Sequence, residues 1–170
     1  MKRLLLLLAL ASPAAAQPLD ARAFAARYHY VGGDEEKRKL DEAIETVVQK
    51  MNIFVRPIAR SRIRNPNQPS AELEVVFDGA NIIIRRPGKP EVSAPADGRA
   101  IKWKDPRNGD VFTVSHGVVD GVLYQRFEDD RSHTVNRMKL DAAQGKLVVE
   151  TTTTSKHLPI PLRFAMTYQR

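Results

Sequence analysis

The sequence has no cysteine. That excludes disulfides, thiolate metal sites, cysteine nucleophiles and thiol redox chemistry. It also excludes a lipid-anchored form, because no cysteine follows the N-terminal apolar run to carry the lipid. Aromatic residues make up only 6% of the chain, with a single tryptophan. Beyond residue 16 no stretch is long and apolar enough to cross a bilayer as a helix, which needs about 20 such residues. Acidic residues are in deficit, 20 against 27 Lys and Arg, for a net charge of +7. There is no internal repeat and no low-complexity tract. His-Glu-x-x-His and Gly-x-Ser-x-Gly are absent, which removes common signatures of zinc-dependent and serine hydrolysis.

What is present begins with a leader. Lys2 and Arg3 precede the apolar run from Leu4 to Ala11, Ser12 and Pro13 break it, and Ala14, Ala15 and Ala16 supply small residues. This is the pattern of a cleavable signal peptide cut after Ala16, and it predicts a periplasmic or secreted protein. About 154 residues would remain, one ordinary domain with enough chain for a core without staples. Loss of Lys2 and Arg3 lowers the net charge from +7 to +5. That excess suits anionic lipid headgroups or acidic partners. Nucleic acid is not an expected partner, given export and the lack of a basic stretch interleaved with aromatics. No cofactor is expected, and the sequence does not specify an oligomeric state.

The expected organisation is a leader (1–16), a helical segment (17–64) and a strand-rich part (70–170), the last two forming one globular unit. A short helix is predicted over Leu19–Tyr30, with Asp34 as N-cap of the next. Leu40, Ile44, Val47, Val48 and Met51 share one face of an amphipathic helix, read as running to about Val55. Residues 53–64 are ambiguous. Pro57 can start a second helical segment, while Ala59, Ser61 and Ile63 alternate with Arg60, Arg62 and Arg64 as in a strand. Asn65 to Pro69 reads as a loop. From Leu73 onward, short alternating runs are separated by Asp78-Gly79, Pro87-Gly88, Asn108-Gly109, Asp120-Gly121 and Gln144-Gly145. Two-residue Asx-Gly turns match the twist of antiparallel hairpins. Eight or nine strands in a meander must hide their edges, and closing into a barrel does so. The fold class is therefore mainly β (α+β), an up-and-down antiparallel barrel with an N-terminal amphipathic helix.

The meander from about Leu73 to Arg170, with a last strand Leu162–Arg170 that ends in an aromatic and a basic residue, resembles the calycin superfamily of lipocalins and fatty-acid-binding proteins. It departs from true lipocalins in lacking Gly-x-Trp on its first strand, since Trp103 lies mid-chain, and in its longer helical segment. The resemblance implies a lipocalin-like barrel with a cavity. The expected function is non-catalytic binding of a small apolar or amphipathic ligand, such as a lipid or fatty acid. Candidate lining residues are Leu73, Val75, Phe77, Tyr124, Met138, Phe164, Met166 and Tyr168, which would equally fill a solid core. The alternative is an envelope interaction protein with a filled barrel, whose basic helical face docks a partner or anionic lipid.

Catalytic and metal signals are weak. His29, His116, His133 and His157 are scattered; His116 and His133 would need adjacent strands and a third ligand to hold a metal. Ser115 and His116 are neighbours in one strand and point to opposite faces, so with Asp120 they form no triad. The run Thr151–Ser155 has the β propensity of an exposed or edge strand, the simpler reading; turned inward it would line a polar cavity with hydroxyls. Between Glu45 and Glu72 there is no acidic residue, yet Lys50, Arg56, Arg60, Arg62 and Arg64 fall there, with Arg85 and Arg86 beyond. Either this is a solvated face, or Arg56, Arg60, Arg62 and Arg64 form a site for anionic groups.

Overall fold

The structure is a computed structural model and describes residues 20–170, so the leader and its cleavage point fall outside the described residues. The chain enters through a 3-10 turn, Ala21–Phe24, capped by the Asp20 carboxylate, which accepts from the N–H groups of Arg22 and Ala23. Strand β1 follows at Ala26–Tyr30. This corrects the helix expected over Leu19–Tyr30. Tyr28 is fully buried between exposed Arg27 and His29, a period of two that the surrounding alanines obscure.

Helix α1 spans Gly33–Val48 and buries Leu40, Ile44, Val47 and Val48. Asp34 lies inside its first turn and does not cap it. Glu36 takes a larger part: its carboxylate accepts from the Thr167 N–H at 2.8 Å and the Thr167 hydroxyl at 2.5 Å, pinning the helix start to the last strand. The helix stops at Val48 rather than Val55. Beyond it, the Asn52 side chain accepts from the Phe54 N–H and holds a turn. Helix α2 then runs Arg56–Asn67, with Pro57 in its opening turn and Pro66 near its end. Residues 56–64 are thus helical, and Asn65–Asn67, expected as loop, complete the helix.

The strands are β2 (Glu72–Phe77), β3 (Asn81–Arg85), β4 (Val92–Pro95), β5 (Ile101–Lys104), β6 (Val111–Val119), β7 (Val122–Glu128), β8 (Ser132–Asp141), β9 (Lys146–Ser155) and β10 (Leu162–Gln169). They form one ten-stranded antiparallel sheet in the order β4-β3-β2-β1-β10-β9-β8-β7-β6-β5. The meander is as expected, and the extra strand is β1, which pairs with both β10 and β2 and joins the two halves. The hairpin between β6 and β7 turns on Asp120 and Gly121, both at positive φ (50° and 72°), the requirement of a type I′ turn. End strands β4 and β5 do not pair with each other; a bridge from Asp97 to Gly117 of β6 closes most of the gap. A Cβ on Gly117 would sit 3.2 Å from the Gly98 Cα, so glycine permits this approach.

The main core joins α1 to the sheet through Phe24, Tyr28, Leu73, Val75, Ile82, Leu123, Met138, Leu147 and Leu162. A smaller cluster of Val92, Ala94 and Val114 is covered by Trp103, Phe112 and Phe127, whose ring centroids lie 6.2–6.3 Å apart. Each fully buried aliphatic side chain stabilises by roughly 1.5–3 kcal/mol, so the four on α1 hold it firmly. Helix α2 buries no residue completely. It is held by ion pairs to α1 and by the partly buried Ala59 and Ile63, and with less burial it is the more readily displaced of the two.

Candidate ligand-binding cavity

Arg85 and Arg86 show how the site is made. Arg85 ends β3 facing outward and pairs with Glu74 at 3.3 Å and Glu91 at 2.5 Å. Arg86 points the other way, into the barrel. The residues Arg86-Pro87-Gly88-Lys89 form a β-turn: the Lys89 N–H donates to the Arg86 carbonyl at 3.1 Å, and Gly88 has φ 71°. Proline at the second position and a positive-φ glycine at the third is the type II arrangement. The turn brings the two cations together. Lys89 Nζ also donates to the Pro66 carbonyl at 2.8 Å, tying the turn to the end of α2.

These side chains open on a cavity of about 230 Å³. Its wall includes Phe127, Val149, Phe164, Met166 and Tyr168 on the apolar side, and Thr134, Asn136 and Thr151 on the polar side; residues 66–70 form its rim. A second hollow of about 110 Å³ adjoins it, sharing Arg86, Lys89 and Phe127, and is bordered by Gln125 and Arg107. Among the described residues Arg86 forms no ion pair, and burial pushes its pKa down. Residues 1–19 contain no carboxylate that could pair with it. Burial, then repulsion from Arg86 and Arg107, pushes Lys89 down to about 8. Tyr168 is raised by burial, partly offset by the Arg86 charge.

The polar wall belongs to a ladder across four strands in register, which runs from Thr151 and Asn136 at the main cavity through Gln125 at the smaller hollow to buried His116 behind it: His116 opposite Gln125, Gln125 opposite Asn136, Asn136 opposite Thr151. A carbonyl only accepts, so His116 Nδ1–H donates to Ile82 O at 2.7 Å and the imidazole is the Nδ1–H tautomer. His116 Nε2 then accepts from the Gln125 amide at 3.1 Å. Gln125 Oε1 accepts from Asn136 at 3.0 Å, and Asn136 Oδ1 from the Thr151 hydroxyl at 2.8 Å. Burial pushes the His116 pKa down to about 4, with the Arg86 charge adding to it, so the ring is neutral at pH 7. The wall therefore carries no charge that could neutralise Arg86.

Of the residues expected to line a cavity, Phe164, Met166 and Tyr168 do so. Leu73, Val75 and Met138 fill the solid core beneath α1 instead. Phe77 is half-buried near the start of the chain, with Arg22 5.8 Å from its ring. Tyr124 lies on the outer face under Arg126 (4.6 Å) and Arg137 (5.8 Å). The inward residues of β7 are Leu123, Gln125 and Phe127, a parity set by the Asp120-Gly121 turn, which pairs Val119 with Val122.

The threonine run also differs from the simpler expectation. Strand β9 lies inside the sheet between β8 and β10, with Thr151 buried inward and the Thr153 hydroxyl bonded to that of Thr134 at 3.0 Å. On α2, Arg60 pairs with Glu45, and Arg64 with Asp41 at 2.8 Å. Arg56 donates to the Met51 and Gln49 carbonyls and the Gln49 side chain. Three of the four arginines expected to gather anions thus secure α2 to α1 and the turn after it. Arg62 borders an outer apolar groove. Sequence reasoning passed over Lys89, Phe127 and the polar ladder; the Arg-Pro-Gly-Lys turn was the available local signal.

His116 and His133 are separated by β7, with one buried and the other exposed. Among the described residues no three His, Asp or Glu side chains gather as a metal site, and no helix is long and apolar enough to cross a membrane.

The fold, a ten-stranded antiparallel barrel, is similar to that of solved fatty-acid-binding proteins. Fatty-acid-binding protein 1 of Echinococcus granulosus matches with a TM-score of 0.50 at 17% identity, over 88% of this chain and 98% of that one. A fatty-acid-binding protein of Schistosoma mansoni, solved in complex with arachidonic acid, matches at 0.50 and 13% identity, over 89% and 98%. No known family profile matches the sequence, and no curated protein matches it.

Proposed function

We propose that this is an exported, non-catalytic binding protein that holds a small amphipathic anion inside its barrel. The observation that carries this reading is Arg86, a half-buried cation without a carboxylate partner, facing a cavity with an apolar side. Leaving such a charge unpaired is costly, and an anionic ligand that supplies the missing partner offsets the cost. Phe127, Phe164 and Met166 offer the tail a surface. The like-folded proteins from Echinococcus and Schistosoma, named for fatty acids, support the ligand type. Typical ligand pockets measure roughly 300–1,000 Å³, so about 230 Å³ with an adjoining 110 Å³ suits a short or medium chain. Isothermal titration with octanoate tests the reading. Saturable binding that is weakened in Arg86→Gln by about tenfold or more supports it; no binding in the wild type refutes it. N-terminal sequencing of protein recovered from the producing cell tests export, which requires a chain beginning at Gln17.

One observation favours an additional role for the helical face. Around the α1–α2 connection, Ile53, Phe54, Val55 and Ile58 are 65%, 87%, 48% and 59% exposed. They flank a groove of about 550 Å³ lined by Met51, Ile63 and Leu158, with Arg62 and His157 at its border. Lys50 lies on the same connection. Exposed apolar side chains among cations fit an anionic lipid surface. Sedimentation with vesicles containing phosphatidylglycerol, abolished by Phe54→Ser, would support docking; equal sedimentation of both proteins would refute it.

A further inference from the structure

The charge count inside the barrel narrows the ligand's head, an inference that rests on the cavity binding an amphipathic anion. Arg86 and Lys89 are the first and fourth residues of one tight turn, so their backbones stay within about 7 Å of each other whatever the rest of the barrel does. Both side chains border both hollows. Arg107 borders the smaller hollow but is paired with Asp105 at 2.7 Å. No Asp or Glu lines either hollow. Three cations against one nearby carboxylate leave two positive charges unmatched. A ligand with one negative charge would leave a cation uncompensated where screening by water is poor. A ligand with two would match both. Lys89 feels the excess positive charge: burial, then Arg86 and Arg107, loosen its proton.

We propose that the cavity prefers an amphiphile with a doubly charged phosphate-monoester head. The Arg86 fork takes two phosphate oxygens and the Lys89 ammonium takes the third, while a short apolar tail lies along Phe127 and Met166. A phosphate monoester carries about −1.5 to −2 at pH 7, and the planar guanidinium matches two of its oxygens.

The test is isothermal titration at pH 7.5 with three probes of equal tail length: hexyl phosphate, hexyl sulfate and hexanoate. Sulfate copies the tetrahedral head with a single charge. Hexyl phosphate is expected to bind at least about tenfold more tightly than hexyl sulfate. Lys89→Met should erase that preference by weakening hexyl phosphate more than hexyl sulfate, and Lys89→Arg should keep it. Thermal melts of each variant establish that it is folded, and Lys89→Arg carries the comparison if Lys89→Met is not. Equal affinity for phosphate and sulfate in the wild type overturns the dianion assignment but leaves anion binding standing. So does a preference that survives Lys89→Met. Failure of all three probes to bind removes the ligand-binding reading and this one with it.

Discussion

Two groups of arginines in this molecule look alike in sequence and behave oppositely in the fold. On α2, Arg60 and Arg64 each meet a carboxylate of α1, and Arg56 is occupied by carbonyls and an amide. In the turn after β3, Arg85 is paired outside while Arg86 is turned inward without a carboxylate. The denser cluster is the structural one. The difference teaches that a high local count of cations does not by itself make a site. What matters is how many remain unmatched after the fold has assigned partners, and how far those are removed from water.

The comparison can be pressed hardest at His116. The interior already holds unmatched positive charge, so a further cation there should be poorly tolerated. The folded-state pKa of His116 is about 4 against an ordinary 6.5, so between those values the unfolded chain binds the proton that the folded one refuses. Stability is then expected to fall by about 3 kcal/mol as pH drops from 6.5 to 4. Urea midpoints across that range measure it, and His116→Leu should flatten the slope whatever its own cost at pH 7. Next in size is ligand affinity. Arg86→Gln should weaken octanoate by roughly 10- to 100-fold, the range for a charge-assisted hydrogen-bonded pair. Arg60→Gln and Arg64→Gln should leave it within about twofold, as read by titration calorimetry. A smaller effect is expected on the helices: Arg60→Gln should lower the urea midpoint slightly, since both partners keep part of their side chains in water and such pairs are weak. The smallest is Phe54→Ser, which should leave both stability and octanoate affinity unchanged, because that ring is 87% exposed.

Much of the frame was legible because it is written in local chemistry. The glycine turns, the alternating strands from Leu73 onward and the apolar stripe Leu40–Ile44–Val47–Val48 each specify a short element without outside help. The strand at Ala26–Tyr30 was not legible in this way. Five residues among alanines suit a helix as well as a strand, and pairing with β2 and β10 decides between them. Tyr124 was misplaced because alternation gives two faces without saying which is inner. The burial of Thr151 is not legible because hydroxyl-rich strands are usually exposed; here a ladder from His116 to Thr151 satisfies each group across four strands. Arg86 was visible as a charge, but its lack of a partner is a property of the assembled barrel. Only its closeness to Lys89 could have been taken from the Pro-Gly pair between them.

The measurement that bears most directly on the central claim is the Arg86 Nε–Hε resonance in a 15N–1H spectrum, followed while octanoate is added. Assignment comes from its disappearance in Arg86→Gln, with the Arg60 and Arg64 signals as internal references. If Arg86 is the anion's seat, its Hε resonance moves downfield with saturation as the carboxylate engages the guanidinium, while those of Arg60 and Arg64 stay in place. A shift confined to the α2 arginines, or binding with no change at Arg86, would contradict the account.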